Sequence, residues 1–210
     1  MLRASFIESS LDLQLFVFLA HDLHHPWLDA LMVAVTTRAY WWLPLALVAV
    51  ALLVRHRRLG FAAMIAGGLA VGICDPVVHH LLKPLFGIVK PCGVSGVSSL
   101  VPCASVPGFP SAHAANACAL ATAFVVVLRR YWKIALPLAA LVAVSRSYVG
   151  VHWPSDVLAG SIFGGGLGVG SAYAVLRLGR WRGWLERDAA PPQAPASNDA
   201  SSLIEEKAAS

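Results

Sequence analysis

Three short stretches of the chain carry residues able to handle a phosphoryl group: Lys83 to Pro91 (KPLFGIVKP), Pro110 to His113 (PSAH) and Ser145 to Asp156 (SRSYVGVHWPSD). A phosphoryl group in transfer needs cations and hydrogen-bond donors around its equatorial oxygens, a nucleophile in line with the leaving group, and an acid for the departing oxygen. Lys83, Lys90 and Arg146 supply charge, and the arginine fork can hold two oxygens at once. Ser111 adds a hydroxyl, and the backbone N–H groups near Ala112 and His113 lie where a helix starts, a natural anion site. His152 and Asp156 are four apart, so one helical turn puts the carboxylate against one imidazole nitrogen and leaves the other free to attack. His113 is then the candidate proton donor. The scheme calls for no metal and no cofactor, because three cations around a His/His/Asp set would repel a divalent ion. Singly, each feature has a plainer reading, such as a lysine snorkelling at a helix end; their joint spacing is what points to chemistry.

The elements that must position these residues are membrane helices. Of 210 residues, 58% are hydrophobic and only 13% charged, against about half apolar and about a quarter charged in soluble domains. Four stretches are free of Asp, Glu, Lys and Arg: Ala39 to Val54, Leu59 to Cys74, Pro110 to Leu128 and Val157 to Leu176. A fifth, Ile134 to Ser145, is shorter. A bilayer needs about 20 apolar residues as helix, so the second must run on through Asp75 to about Leu82 and the fifth past Arg146 toward Val151. These segments are apolar all round, unlike the helices of a soluble core. The expectation is an all-α integral membrane bundle of five spans over residues 39–185, with a sixth left open in residues 1–38. Leu11, Leu13, Leu15, Phe16 and Phe18 are broken by Asp22, His24, His25 and Pro26, and Trp27, Leu28, Leu31 and Met32 follow, a pattern that predicts interfacial helices. Residues 186–210, rich in Ala, Pro, Ser and Asp, read as a disordered tail.

The net charge of +5 would suggest a nucleic-acid partner in a soluble protein. Here most cations flank helix ends on one side (Arg55, Arg57, Arg58, Arg129, Arg130, Lys133, Arg177, Arg180, Arg182, Arg187), and only Arg38, Lys83, Lys90 and Arg146 fall on the other. The positive-inside rule places the first set in the cytoplasm, so the charge sets topology and no nucleic acid is implied. All three motifs then open on the outward face. Asp75, a carboxylate inside a span, should find a basic or hydroxyl partner in the bundle. Gly160, Gly164 and Gly168 form a small-residue ridge for close helix packing. Cys92 and Cys103 share the outward loop, where an oxidising compartment favours a disulfide.

Lys83 with six residues before Lys90-Pro91, then Pro110-Ser111-Ala112-His113, then Ser145-Arg146 with five residues before His152 and three before Asp156, resembles the three-part signature of the type 2 phosphatidic acid phosphatase superfamily, which also includes the vanadium haloperoxidases. The resemblance runs from about Asp75 to Gly164. It implies a metal-independent lipid phosphatase of the bacterial inner membrane, with its site facing the periplasm or exterior. His152 would be transiently phosphorylated, Asp156 would support it, His113 would act as general acid, and Lys83, Lys90, Ser111, Ala112 and Arg146 would bind phosphate. Among bacterial relatives of this size it implies undecaprenyl diphosphate first, with phosphatidylglycerol phosphate, phosphatidic acid and lipid A 1-phosphate as alternatives. The superfamily usually has Arg at the position of Lys90 and Gly at that of Ala112. Lysine loses the planar two-pronged donor, and alanine denies the backbone a positive φ. A non-catalytic phosphate-binding protein or transporter is the reading those departures favour; a haloperoxidase is disfavoured by the short, membrane-embedded chain.

The cysteine reading is checked by alkylating the native protein without reductant: mass spectrometry should find Cys92 and Cys103 unmodified, and label at both would exclude the bond.

Overall fold

The computed structural model describes residues 10–94, 97–104 and 107–185, and the tail read over 186–210 lies outside them. Every regular element among the described residues is helical. Two short helices come first, α1 (Ser10–Val17) and α2 (Pro26–Thr36), the second opened by Pro26 after an extended His25. Proline suits that place because its missing N–H is one the first turn leaves unpaired anyway. A 3-10 turn (Arg38–Trp41) leads into α3 (Trp42–Pro76). The chain then passes through a wide turn (Val77–Leu82) to α4 (Lys83–Phe86), which ends on Gly87 at φ 58°. After a long loop come α5 (Ala112–Val127), α6 (Trp132–Tyr148) and α7 (Pro154–Trp181).

The five apolar stretches do not become five long helices. Among the described residues, two helical runs are long and apolar enough to cross a bilayer, Arg38–Phe86 with 49 residues and Pro154–Trp181 with 28. The first contains both of the first two expected spans, separated where Arg57 leaves helical geometry (φ 43°, ψ −106°). The chain turns back sharply there, since a Cβ placed on Gly60 would strike the Leu52 carbonyl. At Pro76 the ring removes a backbone donor and crowds the preceding turn, and the wide turn at Val77–Leu82 follows at once. α5 has 16 residues and α6 has 17. Pro110 and Ser111 lie ahead of the α5 helix, and Leu128 leaves helical geometry after it. α6 stops at Tyr148, short of Val151, because the chain turns through Gly150 at φ 82°.

α5 is the centre of the bundle. Its Ala112, Ala115, Ala119 and Ala123 are buried with Ala62, Ala66 and Ala70 of α3 and Ala172 and Val175 of α7. Large apolar side chains point the other way: Trp42, Leu43, Leu47, Val54, Ile134, Leu158 and Ile162 are exposed. Small residues inside and large ones outside suit a hydrocarbon surround, where helices associate by close backbone approach. The α5–α7 contact depends on the glycine ridge. A Cβ on Gly160 would lie 2.5 Å from the Ser111 carbonyl oxygen, and one on Gly164 or Gly168 would strike the carbonyl of Ala115 or Ala119.

Gly164→Ala should therefore destabilise the protein by about 1–3 kcal/mol, whereas Gly166→Ala, where a Cβ meets no atom within 4 Å, should be near neutral. Thermal unfolding in detergent compares the two, and equal stability would contradict the packing account.

Candidate active site

The third motif forms the end of α6, a turn, and the start of α7. His152 and Asp156 are 3% and 1% exposed. Asp156 Oδ2 accepts the backbone N–H of Trp153 at 3.1 Å, closing the first turn of α7, and also accepts from His152 Nδ1 at 3.1 Å. The proton on Nδ1 leaves Nε2 as the lone-pair nitrogen. The turn is held from its other end by the Arg146 carbonyl, which accepts the N–H groups of Val151 and His152 at 3.2 Å each.

The PSAH stretch meets this turn directly. Ser111 precedes α5 in an extended conformation, and its N–H donates to the Asp156 carbonyl at 3.0 Å. Its hydroxyl is fully buried and has no hydrogen-bond partner among the described residues; the same is true of Arg146 Nε. Ala112 is the first residue of α5, so its methyl sits on ordinary helical backbone and the need for glycine falls away. His113 follows on the first turn, half-buried.

Lys83 and Lys90 are buried at 4% and 8% exposure and do not snorkel. Lys83 Nζ donates to the Pro107 carbonyl at 2.9 Å and Lys90 Nζ to that of Ala104 at 3.1 Å. An ammonium has three donors, so each lysine ties down the loop between α4 and α5 with one of them. The loop is closed by a Cys92–Cys103 disulfide, Cα atoms 6.0 Å apart. Gly108 approaches the site where no side chain fits: a Cβ there would lie 3.0 Å from Asp156 Oδ2 and 3.1 Å from Lys90 Cγ.

Burial is the largest influence on His152 and disfavours its charged form; Arg146, Lys83, Lys90 and His113 add to it, holding the imidazole well below its usual value. Lys90 is lowered by burial and then by Arg146, with Asp156 opposing. These influences favour the neutral imidazole at His152.

All seven charged or hydroxyl-bearing residues singled out by their spacing lie at one end of the bundle, together with Ala112. Asp75 is paired, but with an amide: Asn116 Nδ2 donates to its Oδ1 at 2.6 Å, and His79 Nδ1 is 3.6 Å from its Oδ2. His79 is thus a basic neighbour of the kind expected, and the shorter bond, from Asn116, crosses the α3–α5 contact. Spacing missed several participants. Trp153 donates from its indole to the Val89 carbonyl at 3.0 Å, fixing the backbone beside Lys90. Gly108 sits in a Pro-Gly loop with no motif of its own, and Thr36 and Asp12 are far away in sequence.

The sequence profile of the PAP2 superfamily matches residues 57–180. The chain belongs to the PAP2 superfamily. It is 31% identical over 167 residues to a lipid A 4'-phosphatase of Bacteroides thetaiotaomicron, covering 75% of this chain and 73% of the relative. It is 32% identical over 142 residues to an undecaprenyl-diphosphatase of Sulfolobus acidocaldarius, covering 65% and 66%. The fold resembles a crystal structure of a transmembrane PAP2-type phosphatidylglycerolphosphate phosphatase from Bacillus subtilis, with a TM-score of 0.58, 25% identity, and coverage of 90% of this chain and 94% of that one.

In this PAP2 chain an unfolded His152 takes up a proton near pH 6.5, while the folded one resists it. The folded state then binds fewer protons below that pH, so acidification costs stability. A ¹⁵N-histidine titration should find the His152 midpoint below about 6.5; a midpoint at or above it would contradict the buried, cation-surrounded site.

Proposed function

We propose that this PAP2 protein is a lipid phosphatase that hydrolyses a phosphate or diphosphate monoester at the extracytoplasmic face of the inner membrane, through a phosphohistidine on His152. The observation that carries the reading is the buried His152–Asp156 pair, with Lys83, Lys90 and Arg146 around it and the unpartnered Ser111 hydroxyl and Arg146 Nε beside it. The end of a bundle with an apolar outer surface suits a substrate whose head is anionic and whose tail is not. The relatives' names point the same way.

In this scheme Lys83, Lys90, Arg146, Ser111 and the N–H groups at Ala112 and His113 hold the phosphoryl oxygens. His152 Nε2 attacks phosphorus in line, the bond to the leaving oxygen breaks, and His113 delivers a proton to that oxygen. Asp156 stabilises the imidazolium character that develops on His152. Water, deprotonated by His113, then attacks phosphorus; the P–N bond breaks and inorganic phosphate leaves. No metal takes part in either step. The cation-rich helix ends (Arg55, Arg57, Arg58 and Arg129, Arg130, Lys133) lie at the opposite end of the helices from the site, which supports an outward-facing pocket. Residues 39–185 form the catalytic membrane domain in this reading, with α1 and α2 at the interface.

Undecaprenyl diphosphate is the first substrate proposed. The lipid A phosphates are the second, supported by the relative matched over 75% of the chain; phosphatidylglycerol phosphate and phosphatidic acid complete the panel. Purified protein in detergent with EDTA should release phosphate from at least one of the four, most rapidly from undecaprenyl diphosphate. Vanadate should inhibit, as a mimic of the pentavalent transition state. His152→Ala should lower kcat by about 10³-fold or more, as loss of a nucleophile does. Activity that survives His152→Ala would exclude the assigned nucleophile, and activity lost to EDTA and restored by magnesium would exclude the metal-free scheme.

A further inference from the structure

The superfamily profile begins at residue 57, so α1 and α2 lie outside it. Their long-range side-chain hydrogen bonds to Arg146, Tyr148 and Ser155 nonetheless fall on one stretch, Arg146 to Ser155, the turn that carries His152. Asp12 of α1, 8% exposed, takes two hydrogen bonds from Ser155: Oδ1 accepts the backbone N–H at 2.9 Å and Oδ2 the hydroxyl at 2.7 Å. Ser155 is the second residue of α7, so its N–H is among those that a helix cannot satisfy internally. One neighbouring N–H, that of Trp153, goes to Asp156. Two carboxylates, one from α7 itself and one from a segment 143 residues away, therefore close the same helix start.

The other contacts repeat the pattern. Thr36 at the end of α2 is buried, and its hydroxyl accepts from Arg146 Nη1. Tyr148 donates to Asp29 Oδ1 at 2.5 Å. The Phe16 ring lies 5.0 Å from that of Trp153, whose indole holds the backbone beside Lys90. Leu11, Leu13, Leu15 and Val17 are exposed, so the same short helix offers an apolar surface outward and a polar grip inward.

We propose that Asp12 and Thr36 are positioning residues for the phosphatase reaction. Asp12 sets the turn that aims His152 Nε2, and Thr36 sets the roll of the Arg146 guanidinium so that Nε and the remaining donors face the phosphoryl group. Neither touches substrate. The inference rests on the phosphatase reading, and it assigns the two residues different kinetic signatures. A displaced nucleophile slows the chemical step, since about 1 Å of misplacement can cost 10²-fold. A misrotated guanidinium weakens anion binding.

The test uses the full-length protein in detergent, a lipid phosphate that the wild type turns over, and vanadate as the anion probe. Asp12→Ala should lower kcat at least about tenfold with KM within about twofold, and Asp12→Asn, which keeps an acceptor for Ser155, should fall between it and wild type. Thr36→Val should raise the vanadate inhibition constant at least about threefold, and Thr36→Ser should restore it. Hydrogen exchange supplies a readout independent of turnover: in Asp12→Ala, amides of residues 152–156 should exchange faster while those of residues 112–127 do not change. If Asp12→Ala fails to fold, Asp12→Asn carries the test, and wild-type kcat in that variant overturns the proposal. Faster exchange throughout α5 also overturns it, because that marks general destabilisation. A wild type inert toward every lipid phosphate overturns the phosphatase reading and the inference with it. An active wild type whose variants keep both kcat and vanadate inhibition overturns the inference alone.

Discussion

The buried carboxylate of Asp156 is the point on which the site's architecture turns. Its Oδ2 takes the Trp153 N–H and faces His152 Nδ1 at the same 3.1 Å. One group therefore begins α7, selects the imidazole tautomer and offsets the positive charge of the lysines and arginine nearby. A carboxylate 1% exposed is costly to bury unless hydrogen bonds and opposite charges compensate. Here the compensation comes from the Trp153 N–H and the His152 ring, with the charges of Lys83 and Lys90 adding to them. Gly108 follows from it: with Asp156 Oδ2 3.0 Å from where a Cβ would stand, the loop can come close only without a side chain.

That arrangement requires α5 and α7 to approach at backbone distance. Gly160, Gly164 and Gly168 meet the backbone of Ser111, Ala115 and Ala119 in turn, and the topmost contact puts the Ser111 N–H on the Asp156 carbonyl at 3.0 Å. The same ridge thus serves packing and the site. In water a bundle would bury large side chains to gain hydrophobic energy. Here Leu43, Leu47, Ile134 and Ile162 face outward and alanines line the interior, because in hydrocarbon an exposed leucine costs nothing and close backbone contact supplies the attraction.

Much of this was legible in the chain. The residues of the site stood out because charge is scarce: with 13% of residues charged, lysines and an arginine away from the main basic side are easily seen. The one-turn spacing of His152 and Asp156 implied their bond. Helix lengths were less legible, since hydropathy counts apolar residues without regard to backbone geometry. Residues 39–54 and 59–82 read as separate spans, and the sharp turn at Arg57 separates them, but α5 starts two residues later than its apolar stretch and α6 stops short of Val151. Asp75 was recognised as a residue in need of a partner, but Asn116 could not be named, because neither residue records which helix faces which.

The amino-acid sequence by itself determined the solvent, the helical class, the chemical inventory and the local pair at the start of α7. These depend on composition and on contacts within a turn, which spacing encodes. Only the tertiary structure decided that Asp12 reaches Ser155 across 143 residues, that Thr36 receives Arg146, and that Lys83 and Lys90 anchor the loop through Pro107 and Ala104. Those contacts join elements whose separation along the chain carries no periodic signal. They form because packing α1, α2 and the loop over one end of the bundle brings their polar groups to buried donors and acceptors that must be satisfied.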